Sequence, residues 1–201
     1  VGGRTEKILD HVMTDKTPPR VTAENRLPGD PDREELIAQI IRVDQAGEYG
    51  AKRIYEGQLA VLGHTDAGPA LRAMLEQEEK HLGDFNRIMS ERGVRPTALQ
   101  PIWHAAGFAL GAATALLGKE AAMACTVAVE EVIGEHYAEQ AAELGDDETA
   151  LRAKITDFRR DELHHRDEAL AAHAENAPVY PVLKEAIKAG TRLAIWLSKR
   201  I

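Results

Sequence analysis

The sequence predicts an all-α helical bundle, and three observations carry that prediction. From Asp32 onward, apolar residues recur at helical spacing through six long segments. No stretch shows the alternation of a half-buried strand. Short breaks rich in glycine, proline and aspartate part the segments: Gly63 to Gly68, Gly93 to Pro101, Gly118, Gly145 to Asp147 and Asn176 to Pro178. Connections this short make consecutive helices antiparallel neighbours, the condition for facing helices to share a site in the bundle core.

The expected helices span 32–62, 69–92, 101–117, 119–144, 148–174 and 179–199. A chain of 201 residues fits one domain. Residues 1–31, punctuated by Thr17-Pro18-Pro19, Leu27-Pro28-Gly29 and Asp30-Pro31, are expected to form a flexible arm ahead of a domain over 32–201. The first twenty residues hold no apolar run long enough for a secretory signal. With 44% apolar and 29% charged residues, wholesale disorder, collagen and a disulfide scaffold are excluded. Thirty-three acids against 25 bases, a net charge of −8, argue against a nucleic-acid binder. The single cysteine, Cys125, forms no intramolecular disulfide and no cysteine-based metal site, which suits a reducing compartment. It reads as a small core residue.

Chemistry enters with acids on apolar stripes. In the first helix Glu48 shares a face with Ile41, Ala51, Tyr55, Leu59 and Leu62. The second helix sets Glu78 and His81 in the middle of a stripe of Leu71, Met74, Leu75, Leu82, Phe85, Ile88 and Met89. Its i, i+3 spacing lets both side chains reach one metal ion. In the fourth helix Glu130 points inward with Met123, Thr126, Val127, Ile133 and Tyr137, whereas Glu131, Glu135 and Glu139 form a solvated row. The fifth helix repeats the Glu-x-x-His pair as Glu162 and His165, flanked by Leu151, Ile155, Phe158, Ala169 and Ala172. Asp161 and His164 have the same spacing, but their row continues through Lys154, Asp157 and Glu168 and faces water.

Antiparallel geometry tests this set. Glu48 and Glu78 are 30 residues apart and Glu130 and Glu162 are 32 apart, so the midpoints fall on Gly63 and Asp146, both in expected turns. Each lone glutamate therefore stands opposite a Glu-x-x-His pair. Four carboxylates and two imidazoles are the ligand set of a dinuclear site in a ferritin-like bundle. Two divalent ions neutralise four carboxylates, so the cluster can be buried where unpaired acids could not. The oxygen-rich shell suits iron or manganese. Asp44, His136 and Tyr137 are candidates for a supporting shell around the ligands.

The third and sixth helices are not needed for the metals. Residues 102–118 carry only His104 and Thr114 as polar side chains, yet at 1.5 Å per residue they fall short of the ~30 Å hydrocarbon core. Gly107 and Gly111 permit close helix packing. Residues 179–201 form a basic amphipathic helix with Lys184, Lys188, Arg192, Lys199 and Arg200 against one acid, Glu185. The chain's two tryptophans, Trp103 and Trp196, lie in these two helices. A shallow position on an anionic membrane surface is expected for both segments, the alternative being that they cap the bundle core or bind a partner helix.

The stretches IIRVDQAGEYGAKRIY, EQEEKHLGDFN, GKEAAMACTVAVEEVIGEHY and FRRDELHHRDEA carry a further signal. Over residues 33–201 the sequence resembles the demethoxyubiquinone hydroxylases of ubiquinone biosynthesis. The resemblance implies a di-iron monooxygenase that uses dioxygen to hydroxylate the ring of a polyprenylated demethoxyubiquinol or demethoxyubiquinone. It also implies Glu48, Glu78, His81, Glu130, Glu162 and His165 as metal ligands, with no departure from the family pattern. His136 and Tyr137 are placed near an electron or proton path, and electrons come from NADH, although the chain has no glycine-rich dinucleotide fingerprint. The implied location is a peripheral one, on the cytoplasmic face of a bacterial inner membrane or the matrix face of a mitochondrial one, with a lipid-binding partner protein in eukaryotic members. Two rivals on the same fold are a ferroxidase or iron-storage protein and a non-catalytic membrane scaffold. The apolar third and sixth helices disfavour storage. A rubrerythrin-like carrier is disfavoured because it needs cysteines that are absent.

Overall fold

The computed structural model describes residues 27–201, and residues 1–26 of the expected leading arm lie outside them. Six α-helices follow one another with no strand among the described residues: α1 (Arg33–Leu62), α2 (Gly68–Glu91), α3 (Gln100–Leu116), α4 (Lys119–Glu143), α5 (Thr149–Ala171) and α6 (Tyr180–Ser198). Each lies within about three residues of its expected span.

Local chemistry sets the ends. Asp32 caps α1, its Oδ1 accepting from the Glu35 backbone N–H at 2.9 Å, with Glu34 and Glu35 in the positive first turn. α2 and α3 open with proline in the first turn, where the missing N–H costs nothing. Two residues, Leu117 and Gly118, link α3 to α4, and Gly118 sits at φ 119°, a conformation that a side chain would strain. α5 stops earlier than its periodicity suggests because His173 adopts the left-handed region at φ 67° and turns the chain into a short 3-10 segment, Ala174–Asn176.

α1, α2, α4 and α5 form the bundle. Its apolar core lies in two layers. Tyr55, Leu71, Met74, Met123 and Val127 fill one end, and Ile41, Phe85, Tyr137, Ile155 and Phe158 fill the other. α3 lies along α1 and α6 along α4, both outside the four-helix core. The α1–α3 seam is backbone against backbone. A Cβ on Gly57 would overlap the Phe108 carbonyl, one on Gly111 the Ile54 carbonyl, and one on Gly107 would come within 2.9 Å of Arg53 Cβ and the Gly50 oxygen. Among the described residues, no helix is long and apolar enough to cross a membrane.

Candidate metal centre

Helical phase brings the six candidate ligands to the bundle axis between the two core layers. Glu48, Glu78, His81, Glu130, Glu162 and His165 are each at most 3% exposed. Their ligand atoms form two sets, Glu48, Glu78, His81 and Glu162, and Glu78, Glu130, Glu162 and His165, each within 4.8 Å mutually. Ligands on opposite sides of one ion, at about 2.0–2.2 Å from it, stand about 4 Å apart, so each set fits a single ion. Glu78 and Glu162 belong to both sets. The arrangement has room for two metal ions, with two carboxylates common to both sets and one glutamate and one histidine particular to each.

Unsatisfied atoms mark the same place. Glu48 Oε2, both oxygens of Glu78, Glu130 Oε2, Glu162 Oε2 and His165 Nδ1 are buried without a hydrogen bond. So many orphaned acceptors in one spot are costly unless a cation takes them. The electrostatics agree. Burial, reinforced by neighbouring carboxylates, pushes the Glu78 and Glu130 carboxyls up. Burial alone would pull the His81 imidazole down, but Glu162 and Glu48 overcome it and lift it to about 11. Glu162, although buried, is held low by His165 and His81. The pocket draws positive charge.

Each half of the bundle supports the ligands of the other. Tyr55 on α1 donates its O–H to Glu130 Oε1 on α4 at 2.8 Å, and Tyr137 on α4 donates to Glu48 on α1. His81 Nε2 lies 3.2 Å from Asp161 Oδ2, and His165 Nε2 lies 3.1 Å from Gln77 Oε1. These outer contacts turn both Nδ1 atoms toward the carboxylates. His81 Nδ1 is 3.1 Å from Glu162 and 3.4 Å from Glu48, and His165 Nδ1 is 3.2 Å from Glu78 and 3.3 Å from Glu162. Such second partners fix a ligand imidazole's tautomer and orientation.

The candidates for supporting roles separate here. Tyr137 touches a candidate ligand, Glu48, directly. Asp44 and His136 instead join Gln140, whose Nε2 lies 2.7 Å from Asp44 Oδ1 and 2.9 Å from His136 Nε2. Burial raises the Asp44 carboxyl, and burial with Lys199 nearby pushes the His136 imidazole down to about 3. Sequence reasoning missed Tyr55, Gln77 and Gln140 and assigned Asp161 to water. Asp161 is only part-exposed and reaches His81 from the rim, while His164 is exposed as expected. A repeat was there to be read: a tyrosine seven residues after each lone glutamate, and a polar residue just before each Glu-x-x-His.

A second correction concerns α6. Lys184 and Lys188 do not present their charge outward. Both ammonium groups lie 2.7 Å from Glu131, and Arg192 pairs with Glu135 at 3.1 Å. The α4 row expected to be solvated is thus partly covered by α6. Beside the exposed Glu185 and Arg192, α6 also exposes apolar residues: Val182, Leu193 and Trp196. α3 likewise exposes Ile102 and Leu116, with Leu117 just beyond its end.

Between α1, α3, α4 and α6 lies an apolar cavity of about 320 Å³ lined by Gly47, Ala51, Trp103, Val129 and Ile133 among others. Gly47 adjoins Glu48 and Val129 adjoins Glu130, so its inner wall is continuous with the ligand helices. Ala106 of α3 and Gly190 of α6 line it while exposed, which opens the cavity between those helices. Trp103 Nε1 donates to Ser198 Oγ at 3.0 Å across that side.

The family described as ubiquinone biosynthesis protein COQ7 matches residues 35–198. A protein of Rhodospirillum rubrum named 3-demethoxyubiquinol 3-hydroxylase is 60% identical over 183 residues, 90% of this chain and 86% of its own length. A human mitochondrial protein named NADPH-dependent 3-demethoxyubiquinone 3-hydroxylase is 54% identical over 169 residues, 82% of this chain and 78% of its own. The Saccharomyces cerevisiae mitochondrial 5-demethoxyubiquinone hydroxylase is 43% identical over 183 residues, 83% of this chain and 78% of its own. With its whole helical domain matched, the chain belongs to the COQ7 family of ubiquinone biosynthesis proteins.

Proposed function

We propose that this chain is a di-iron monooxygenase that hydroxylates the ring of a polyprenylated demethoxyubiquinol or demethoxyubiquinone. One observation carries the reading: in a chain of this family, four glutamates and two histidines are brought into two four-ligand sets that share Glu78 and Glu162. Glu48 and His81 complete one position, Glu130 and His165 the other. When bound there, two irons in the reduced state supply electrons that activate dioxygen. One oxygen atom enters the ring C–H bond as hydroxyl, the other leaves as water, and the two electrons come from a reduced nicotinamide dinucleotide. NADPH is the donor named in several relatives, where the sequence reading anticipated NADH.

The protein's own residues position and shield. Tyr55 and Tyr137 hold one oxygen each of Glu130 and Glu48, leaving the second oxygen of each for a metal. Gln77 and Asp161 fix the imidazoles. The apolar cavity receives the ring and the first part of the tail and excludes water beside Glu48 and Glu130. Because a polyprenyl tail partitions into the bilayer, the mouth between α3 and α6 faces a membrane surface, with Ile102, Leu116, Val182, Leu193 and Trp196 entering its boundary. Attachment is mainly apolar, since Lys184 and Lys188 are engaged with Glu131. The host is an inner membrane, bacterial or mitochondrial, and a lipid-binding partner protein docks on the same apolar faces. The names of the relatives do not favour the storage and scaffold alternatives.

Purified, iron-loaded protein reduced and given a demethoxyquinone under labelled dioxygen tests the reading. One labelled atom in the ring hydroxyl is the expected product. Label recovered only in water, or an unchanged quinone beside oxidised iron, would point to a ferroxidase instead.

A further inference from the structure

The glycines of the α1–α3 seam and of the cavity wall fall into two kinds. Gly57, Gly107 and Gly111 are imposed by packing, since any side chain there would collide with the opposing helix backbone. Gly47 and Gly50 are not. Both lie inside α1, both line the cavity, and a Cβ at either would meet nothing within 4 Å. Glycine in a helix interior is disfavoured against alanine in proportion to its extra backbone freedom. Helix α1 therefore carries two destabilising residues, at i and i+3 on one face, that neither a turn nor helix packing requires. Gly190 on α6 is also unobstructed but is exposed where the cavity opens, and Gly83 on α2, likewise unobstructed, faces solvent and lines none of this cavity.

We propose that Gly47 and Gly50 are specificity-determining positions, kept without side chains so that a flat quinone ring and the start of its tail can lie against the α1 backbone next to Glu48. The proposal rests on the reading of this cavity as the quinone pocket. Two walls supply the complementary evidence. Ala51 and Ala106 keep the neighbouring positions small, while Trp103, Ile54, Leu110 and Ile133 supply the apolar surface on which a ring packs. One surplus methyl in a fitted apolar pocket changes binding by roughly 10- to 200-fold. Two alanines would narrow the slot along its α1 wall.

The test uses full-length protein carrying Trp196→Phe, so that Trp103, which lines the cavity, is the remaining tryptophan. Its fluorescence reports occupancy through quenching by a short-tailed demethoxyquinone. Gly47→Ala and Gly50→Ala are each expected to raise Tm by about 2–4 °C, as is the solvent-facing Gly83→Ala, because helix propensity alone changes. The two cavity variants are expected to bind the quinone at least about tenfold more weakly, and Gly83→Ala to bind it unchanged. Ala194→Phe and Ala106→Phe, bulky plugs on the α6 and α3 walls, separate the two levels of the claim. If either folded plug abolishes quenching while both glycine variants bind like the parent, the glycine assignment is overturned and the pocket stands. If folded plugs leave binding unchanged, the pocket reading itself fails. A fall in Tm for Gly47→Ala or Gly50→Ala would return these glycines to the packing class and also overturn the proposal.

Discussion

The α1–α2 half of the bundle and the α4–α5 half carry the same central pattern under different covers. Each supplies a glutamate, a tyrosine seven residues later, a glutamine ten residues later, and a Glu-x-x-His on the return helix. The supporting contacts cross over. Gln140 of α4 bonds Asp44, four residues before Glu48, and Gln58 of α1 lies 3.5 Å from Thr126, four residues before Glu130. Outside this centre the halves part company. α3 meets α1 through glycines, whereas α6 meets α4 through Lys184, Lys188 and Arg192. A buried polar cluster tolerates little variation because every atom needs a partner. A cover needs only area, and the two halves reach it by opposite means.

The largest expected effect separates shared from unshared ligands. Glu162→Ala or Glu78→Ala should remove both iron equivalents and all turnover, while Glu48→Ala or Glu130→Ala should strip mainly one position. Metal analysis on the purified variants decides this, and a shared-ligand variant that keeps two irons would break the two-fold picture. His165→Ala should lose iron where its exposed neighbour variant, His164→Ala, keeps both.

Next in size is the contrast between covers. Gly111→Ala forces a methyl into the Ile54 carbonyl and should cost about 1–3 kcal/mol or more as the helices are pushed apart. Glu131→Gln removes part-exposed ion pairs and should cost roughly 1 kcal/mol. Denaturant titration measures both. Equal costs would mean that α6 is held as tightly as α3.

A smaller effect tests the crossed imidazole partners. Asp161→Ala and Gln77→Ala should each weaken metal affinity by about 10- to 100-fold. Asp161, a carboxylate facing His81, should matter more than the neutral amide facing His165, and the reverse order would remove the electrostatic part of the explanation.

The effect that is smallest at neutral pH concerns a difference between halves. His136 lies six residues after Glu130, where the α1 half has Ile54 after Glu48. Its imidazole is held at about 3 against an ordinary value of about 6.5. The folded pKa is depressed, so its contribution is complete above pH ~6.5. It is lost as pH falls toward 3, by up to ~1.4 kcal/mol per pH unit. His136→Gln should flatten that part of the stability profile, and an unchanged slope would show that the ring protonates without opening the fold.

Most of the centre was legible because burial on a helix follows from phase. Glu48, Glu78, His81, Glu130, Glu162 and His165 each sit on an apolar stripe, and the turn midpoints align them. Phase is silent about what covers a helix. Glu131 reads as solvated until α6 lies on it, and Lys184 and Lys188 read as membrane-facing until Glu131 is opposite them. Asp161 fails for another reason. It adjoins Glu162 at the margin of the stripe, and a side chain at a margin reaches inward when a partner such as His81 comes near from another helix. The left-handed conformation at His173 carries only a faint sequence mark, since histidine enters that region far less readily than glycine.

The central claim is that one pair of carboxylates serves two metal positions. Anomalous diffraction at the iron edge, from crystals of iron-loaded protein, tests it directly. The account predicts two peaks, both flanked by Glu78 and Glu162, one beside Glu48 and His81 and the other beside Glu130 and His165. A single peak, or iron held at Asp161 and Glu131 outside the bundle axis, would contradict it.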